Sequence, residues 1–263
     1  MIDLHNGDCL EVMKSIPDGS VDCIITDPPY GTTACKWDSV IPFEPMWEQL
    51  KRIIKPNGAI VLFGSEPFSS ALRMSNIKQY KYDWIWRKSR PTGGLHAKKR
   101  PMLDIETISV FYRFQCFYSP QGVSDCNTVH KNTDGRKKGS GVRGADRKND
   151  SYIQTKTDYP RRVLDFSSPH NVGSFHPTQK PVALLEYLIK TYTQENETVL
   201  DFTMGSGSTM MACLNTNRKG IGIELDKHYF DVATKRINEH KATLNSVFSR
   251  CINSSSPHFQ LFE

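Results

Sequence analysis

The sequence predicts an α/β fold with a mainly parallel sheet, and three observations support this prediction. Apolar segments of strand length recur along the 263 residues, with residues 21–26 and 59–63 as the clearest examples. Segments with apolar residues at helical spacing lie between them, and this alternation is typical of parallel sheets. Two of the strands end in a Pro-rich or a Gly-rich motif, and open α/β sheets bind ligands at the carboxyl ends of their strands.

The first part of the chain alternates strands and helices in this way. Residues 43–54 have apolar side chains at helical spacing, and the sequence Lys-Pro-Asn-Gly at 55–58 predicts the end of this helix. Residues 31–41 lack periodicity and predict a loop over the end of the strand at 21–26. Trp84 and Trp86 share one face of a strand and are predicted to lie in the core. The remaining elements are predicted strands at 2–5, 82–86 and 105–112 and predicted helices at 10–13 and 68–75.

The segment 114–158 has no clear periodicity and is rich in Gly, Asn, Asp, Ser, Lys and Arg. It predicts an irregular insert, and so long an insert in a compact domain is usually functional. Regular structure is predicted to resume after residue 160. The later elements are predicted helices at 181–192, 208–214 and 228–237, predicted strands at 198–201 and 220–224, and a peripheral tail after 241.

Composition argues against several classes of protein. Charged residues make up 24% of the chain, and no apolar run approaches the roughly 18 residues that a membrane helix needs. The first eight residues have neither the basic region nor the apolar core of a signal peptide. The seven cysteines are scattered without a Cys-x-x-Cys pattern, which favours reduced thiols over disulfides or a zinc site. These features predict a cytoplasmic protein that uses no metal.

The net charge of +6 is unevenly distributed. Residues 86–162 contain 17 Lys and Arg against seven Asp and Glu, whereas the rest of the chain contains 17 against 21. A basic region on a mildly acidic body is typical of proteins with a polyanionic partner such as nucleic acid. A solvated, lysine-rich loop would have the same composition, so charge alone leaves both interpretations open.

The sequence Asp27-Pro28-Pro29-Tyr30 ends the strand at 21–26. Prolines lack a backbone N–H donor and stop strand pairing, so the chain leaves the sheet while presenting a carboxylate, bare carbonyl groups and an aromatic ring. Two prolines alone would indicate only a turn. The acid before them and the aromatic residue after them favour a flat ligand that carries an amino group.

A second motif, Asp-Phe-Thr-Met-Gly-Ser-Gly-Ser-Thr at 201–209, joins a predicted strand to a helix start. Its glycines let a ligand approach the backbone, and a helix N-terminus offers unpaired N–H groups. An ordinary strand–turn–helix junction has the same outline. Glu224 ends the next strand, where an acid can accept both hydroxyl groups of a ribose, so the two features together predict a ligand with an adenosine group.

Between the insert and this motif, residues 176–181 read His-Pro-Thr-Gln-Lys-Pro just before a predicted helix. Thr178 near a helix start is also what a simple N-cap requires. A functional interpretation adds Lys180 as a cation that could pair with a ligand carboxylate.

Taken in order, these motifs resemble those of amino-group DNA methyltransferases. Residues 27–30 resemble the catalytic motif, 201–209 the S-adenosylmethionine motif, and 176–181 the HPTQKP element that precedes it. The order is the permuted arrangement of the beta group of N6-adenine and N4-cytosine enzymes. The resemblance covers roughly residues 1–112 and 160–237, and leaves the insert unmatched, as is usual for target-recognition regions. Thr203, where Phe or Ala is common, and Ser208, where Thr is common, depart from the family pattern.

The resemblance implies a Rossmann-like, circularly permuted, S-adenosylmethionine-dependent methyltransferase fold with a mixed, mostly parallel sheet. It divides the chain into a catalytic half at 1–112, a basic target-recognition insert at 113–160, a cofactor-binding half at 161–240 and a tail at 241–263. Catalysis is assigned to Asp27, Pro28, Pro29 and Tyr30. Cofactor binding is assigned to Asp8, Cys9, Asp27, Thr178, Lys180, Asp201, Thr203, Met204, Gly205, Ser206, Gly207, Thr209, Glu224 and Leu225. Phosphate contacts are expected from Lys98, Lys99, Arg100, Arg136, Lys137, Lys138, Arg143, Arg161 and Arg162.

Several alternatives stay open at this point. Adenine N6 is favoured over cytosine N4 as the target because the catalytic motif begins with Asp, where the N4 enzymes usually have Ser. An RNA base methyltransferase and a nucleic-acid-binding module without catalysis are further alternatives. The expected ligands are S-adenosylmethionine and double-stranded DNA, and no membrane association is expected. A homodimer and a separately encoded restriction endonuclease are open options.

Overall fold

The computed structural model describes residues 1–32, 38–130, 152–168 and 179–254. The chain divides into two compact units, a larger one of residues 1–119 and 162–263 and a smaller one of residues 120–161. The strands are β1 Ile2–Asn6, β2 Val21–Thr26, β3 Ile54–Gly64, β4 Tyr80–Thr92, β5 Leu103–Phe111, β6 Ser124–His130, β7 Tyr152–Thr157, β8 Val163–Phe166, β9 Thr198–Asp201 and β10 Lys219–Glu224. The α-helices are α1 Cys9–Met13, α2 Phe43–Ile53, α3 Phe68–Ser75, α4 Val182–Tyr192, α5 Ser208–Asn215 and α6 Lys227–Ser254.

The larger unit is built on a sheet with the strand order β1-β10-β9-β2-β3-β5-β4-β8. The strand β5 runs antiparallel to β3 and β4, whereas the remaining neighbours pair in parallel. This mixed, mostly parallel sheet confirms the predicted α/β class.

The centre of this sheet brings two distant parts of the chain together. The strand order runs outward from β2 to β3 and, on the other side, from β9 through β10 to β1. The order therefore reverses between β2 and β9, and a ligand crevice forms beyond the carboxyl ends of strands at such a reversal. The motifs at 27–30 and 201–209 follow β2 and β9 directly, so the topology brings both of them to this crevice.

Helices cover both faces of the sheet. Apolar residues of α4, α5 and α6 pack on one face, and those of α1, α2 and α3 pack on the other. Within β2, Cys23 and Ile25 contribute to the first core and Ile24 to the second, because successive side chains of a strand point to opposite faces. Trp84 and Trp86 are buried as predicted. No helix in the described ranges combines the length and the apolar character needed to cross a membrane.

Several element ends differ from the sequence predictions. The helix α2 ends before residues 55–58 as predicted, but β3 begins at Ile54 instead of residue 59 and so includes these four residues. The strand β4 continues to Thr92, and β8 was not predicted. The helix α6 extends to Ser254 instead of ending near residue 237. Residues 238–252 contain no Gly or Pro that would stop a helix, so the backbone can continue beyond the last apolar residues that predicted it.

The smaller unit contains an antiparallel pair of strands, β6 and β7, with Ser124 opposite Thr157. Cys126 Sγ donates a hydrogen bond to the Gln154 carbonyl oxygen at 3.2 Å. The prediction of an irregular insert was wrong for these strands. Their side chains are mostly polar, so the apolar alternation that marks a half-buried strand is missing from the sequence.

Candidate active site

Asp27 is the first residue after β2, and its carboxylate accepts hydrogen bonds on both oxygens. Tyr30 Oη donates to Oδ1, and Lys180 Nζ donates to Oδ2. Burial raises the pKa of Asp27 above the usual range of aspartate, while the Lys180 ammonium group opposes this rise. The Tyr30 ring also packs against Phe68, with the ring centroids 5.1 Å apart. The motif at 27–30 is therefore a turn folded around a single carboxylate.

A residue that the sequence analysis did not single out holds this turn. Asp38 Oδ1 accepts the backbone N–H groups of Tyr30 and Gly31 at 2.8 and 2.9 Å, and Oδ2 accepts that of Thr32 at 2.9 Å. Asp38 is buried, and hydrogen bonds to an ionised acceptor are stronger than those between neutral groups. An isolated acid in a predicted loop has no pattern that would reveal this function.

Lys180 connects the turn at residues 27–30, the predicted catalytic turn, to two further charged side chains of the sheet. Its Nζ lies 3.3 Å from Glu106 Oε2, and Glu106 Oε1 lies 2.6 Å from Lys88 Nζ. Glu106 and Lys180 are both buried. Burial opposes the charged form of Lys180, but Asp27 and Glu106 outweigh this effect and raise its pKa. The only sequence signal for Glu106 was an acid within an otherwise largely apolar strand.

Asp201, at the end of β9, holds the second motif in place. Its Oδ1 accepts hydrogen bonds from Thr26 Oγ1 at 3.1 Å and from the Thr203 backbone N–H at 3.2 Å. Its Oδ2 accepts a hydrogen bond from Thr209 Oγ1 at 2.5 Å. Burial raises the pKa of Asp201 to about 7, although these hydrogen bonds favour the ionised form. The carboxylate therefore braces the loop against the end of β2, at the edge of the cavity.

Thr203 joins the two motifs directly. Its Oγ1 donates a hydrogen bond to the Asp27 carbonyl oxygen at 3.0 Å. Neither Phe nor Ala, the residues common at this position in the family pattern, has a hydroxyl group that could make this bond. The departure at Thr203 thus tethers the backbone of the catalytic turn to the second motif.

The Gly-rich loop at residues 203–207 ends in a position that only glycine can occupy without strain. Gly207 precedes α5 with φ of +78°, and a Cβ there would lie 2.9 Å from Ile237 Cδ1. Both its conformation and its close contact therefore require glycine. Arg236 Nη1 donates hydrogen bonds to the Ser206 carbonyl oxygen at 3.0 Å and to Ser208 Oγ at 3.1 Å. Arg236 lies on α6, so the sequence offered no sign of this contact.

Glu224, at the end of β10, faces the same loop. Its Oε2 accepts the Gly205 backbone N–H at 2.9 Å, and its Oε1 accepts that of Asp226 at 2.8 Å. Burial raises the pKa of Glu224. Each carboxylate oxygen has a second lone pair, so both can accept a further hydrogen bond from a ligand hydroxyl group.

The junction of β1 and α1 forms another wall of the crevice. Asp8 Oδ1 accepts the backbone N–H of Leu10 at 2.8 Å and caps α1. Burial raises the pKa of Cys9 to about 12, so its thiol stays neutral near pH 7. Both residues line the cavity, as do Met204 and the largely exposed Leu225.

A cavity of about 1150 Å³ extends from the catalytic turn to the Gly-rich loop. Pockets for one small molecule measure roughly 300–1000 Å³, so this volume suits a nucleoside-type cofactor together with a base. The acid at the end of β10, the open backbone of the loop and this volume together fit S-adenosylmethionine. In the described part of the chain, no group of three or more His, Cys, Asp or Glu side chains is arranged to hold a metal.

The predicted DNA-contacting residues lie in different places. Lys98, Lys99 and Arg100 are exposed between β4 and β5, and Arg100 also lines the cavity. Arg162 Nε donates a hydrogen bond to the Asp83 carbonyl oxygen at 2.9 Å, and Arg161 is exposed in the smaller unit. The remaining predicted residues fall outside the described ranges, namely Arg136, Lys137, Lys138, Arg143 and the cofactor candidate Thr178.

Comparison with known proteins settles the family. The model of the N6/N4 DNA methylase family matches residues 21–235. The chain belongs to this DNA methylase family. The chain is 27% identical to the type II methyltransferase M.HpaI of Haemophilus parainfluenzae over 266 residues, and this match covers 94% of this chain and 78% of M.HpaI.

Solved structures resemble this DNA methylase over nearly its whole length. The complex of M1.HpyAVI with S-adenosylmethionine is 28% identical, with a TM-score of 0.62, and the match covers 90% of this chain and 100% of the other. The cytosine-N4-specific PvuII methyltransferase has a TM-score of 0.62 over 91% of this chain and 90% of its own, at 15% identity, which shows the fold alone.

These matches confirm the family, the fold class and the DNA methyltransferase activity predicted from the sequence. The predicted cofactor is the ligand bound in the M1.HpyAVI complex. The family includes N6 and N4 enzymes alike, so membership leaves the choice between the two amines to the site itself.

Proposed function

We propose that this DNA methylase transfers a methyl group from S-adenosylmethionine to the exocyclic N6 of adenine in double-stranded DNA. The observation that carries the proposal is the Asp27 carboxylate, which lies half-buried where the catalytic turn meets the Gly-rich loop and whose backbone is tethered to that loop through Thr203. An acid at the first position of the turn favours adenine over cytosine. N4 of cytosine is the second candidate, since it is the same kind of amine.

The cofactor would be held along the crevice by residues of the larger unit. Glu224 suits the ribose hydroxyl groups, Asp8 and Cys9 border the adenine, and the loop at 203–207 borders the methionine part. Lys180 was predicted to bind the cofactor and to be available to a ligand carboxylate. Its ammonium group is engaged by Asp27 and Glu106, so its part in cofactor binding is secondary in this proposal. When bound, S-adenosylmethionine supplies an electrophilic methyl group.

The catalytic turn would prepare the target amine for attack. The lone pair of an exocyclic amine is delocalised into its base, which makes the nitrogen a poor nucleophile. Asp27 and the Pro28 carbonyl group would accept its two N–H bonds and direct the lone pair toward the methyl carbon. The same acceptors stabilise positive charge as it develops on the nitrogen, and Asp27 can take up the released proton. Tyr30 would stack on the flipped base.

DNA binding would use the basic connection between β4 and β5 and the smaller unit. Residues 87–103, which include the end of β4 and its connection to β5, contain six Lys and Arg and no acid, and Arg90 and Arg100 line the cavity that holds Asp27. We assign target recognition to the insert at 113–160. A homodimer, a separately encoded endonuclease and a cytoplasmic location complete the proposal.

Single-molecule sequencing of DNA from a methylation-deficient bacterial host tests the target base. Expression of the wild-type protein should place N6-methyladenine in one short sequence motif, and the Asp27→Ala variant should leave that motif unmodified. N4-methylcytosine in the motif would instead support the second candidate. Soluble protein that binds the cofactor but modifies no DNA would point to an RNA base, and DNA affinity without cofactor uptake would indicate a binding module.

The basic connection yields a second prediction. Replacing Lys98, Lys99 and Arg100 with alanine should weaken binding to DNA of any sequence. The slope of the logarithm of the binding constant against the logarithm of salt concentration should decrease in magnitude by about one for each lost phosphate contact. Binding titrations over a series of salt concentrations measure this. The exposed lysines Lys14, Lys227 and Lys235 offer a matched control, since their triple alanine variant changes the net charge equally. Equal salt dependence in the two variants would contradict the assignment.

A further inference from the structure

Four charged side chains form a continuous series of ion pairs that ends at the catalytic turn. They run from Lys88 on β4 to Glu106 on β5, then to Lys180 before α4 and to Asp27 after β2. Their side chains are between 7% and 20% exposed, and all four line the cavity. Two ammonium groups and two carboxylates balance each other, which allows such charges to lie in a partly buried site.

Both carboxylate oxygens of Asp27 are engaged. Tyr30 Oη donates to Oδ1, and the Lys180 ammonium group donates to Oδ2. A cation on Oδ2 weakens that oxygen as an acceptor for another N–H group. It also opposes the positive charge that develops on the amine nitrogen during methyl transfer. Methylation therefore benefits if Lys180 moves away from Asp27 when the target amine enters.

Glu106 offers Lys180 a second acceptor. Its Oε2 is buried and accepts no hydrogen bond from the described residues, although Lys180 Nζ lies only 3.3 Å away. A buried carboxylate oxygen without a hydrogen bond is costly, and a small shift of Nζ would remove that cost. The Phe63 ring, with its centroid 5.3 Å from Nζ, also borders the ammonium group.

We infer that Glu106 is a positioning residue that draws Lys180 away from Asp27 when the target amine enters, so that Asp27 Oδ2 accepts the amine. This inference rests on the proposed methylation of an exocyclic amine. Lys180 keeps its proton in both positions, because the nearby carboxylates raise its pKa despite burial. The step is a change of hydrogen-bond partner, and no proton is exchanged between the three side chains.

The first test is the Glu106→Gln variant, which preserves shape and removes the charge that attracts Lys180. We expect kcat to fall by about 100-fold while the KM values for DNA and cofactor change by less than about threefold. The control is Glu239→Gln on the exposed face of α6, which should keep wild-type kcat. An unchanged kcat in Glu106→Gln overturns the inference.

A double mutant separates this effect from a structural one. In a Lys180→Met background, Glu106→Gln should cause no further loss of kcat, since Glu106 acts only through Lys180. An undiminished loss in that background, together with a lower melting temperature, would assign Glu106 a structural part and overturn the inference.

A crystal structure provides a measurement that does not depend on turnover. The complex contains sinefungin, an unreactive analogue of the cofactor, and a duplex with the target motif in its unmethylated form. In this complex, Lys180 Nζ should lie about 3 Å from Glu106 Oε2 and no longer contact Asp27. Retention of the Lys180–Asp27 contact beside a bound amine overturns the inference. The base found in the pocket separately tests the choice of adenine, and a wild-type protein that methylates no amine would remove the premise of both proposals.

Discussion

The Asp27→Asn variant is expected to lose methyl transfer by about 100- to 1000-fold while keeping its fold. Asparagine has the size of aspartate, but its amide group carries no charge to stabilise the nitrogen as it becomes positive. Its NH₂ group could also point toward the position of the target amine and repel it. Single-turnover rates with saturating DNA measure the loss at the chemical step, separately from product release.

Stability and activity should change independently in this variant. Burial raises the pKa of Asp27, which means that the surroundings disfavour its charge, so an uncharged side chain should fold at least as readily. Asp231→Asn on α6 is the matched control, since its carboxylate is exposed and does not line the cavity. A decrease of less than about tenfold in Asp27→Asn, with Asp231→Asn unchanged, would show that Asp27 is not the essential acceptor.

Asp201 should make the stability of the free protein depend on pH around neutrality. Its pKa rises from 3.8 to about 7 on folding, chiefly because the carboxylate is buried. The folded state therefore binds the proton more tightly than the unfolded chain does. The contribution of Asp201 to the free energy of unfolding should then be largest at low pH and decrease as the pH rises from about 4 to about 7, with no further change above that range.

The size of this effect is large for one side chain. A tenfold change in proton affinity corresponds to about 1.4 kcal/mol, so the full rise in pKa corresponds to at most about 4 kcal/mol. Urea unfolding of wild type and Asp201→Asn between pH 4.5 and pH 8 isolates the contribution of this residue, since other groups titrate alike in both proteins. Relative to the variant, wild type should lose stability as the pH rises. Parallel curves for the two proteins would contradict the prediction.

Local sequence was sufficient for the features that depend on neighbouring residues. Pro28 and Pro29 end β2 because they have no backbone N–H to donate, and this holds in any tertiary setting. The turn before α5 depends on Gly207 for a conformation that other residues rarely adopt. Both motifs were therefore recognisable in the sequence, and their order along the chain was enough to identify the family.

Patterns without apolar alternation were harder to interpret. The polar strands β6 and β7 were predicted as irregular, and the later part of α6 was predicted as a tail. In both cases the backbone forms a regular element although the residues show no apolar alternation or stripe, so the sequence lacked the periodicity on which such predictions depend.

The sequence by itself thus determined the end of β2, the two motifs, the family and the position of the proposed catalytic carboxylate directly after β2. Only the tertiary structure decided what surrounds that carboxylate. The pairing of β2 with β9 places Thr203 on the Asp27 backbone, and the neighbouring β5 places Glu106 beside Lys180. These contacts join residues that are far apart in the chain, and they depend on strand order and side-chain packing, which no local pattern of residues encodes.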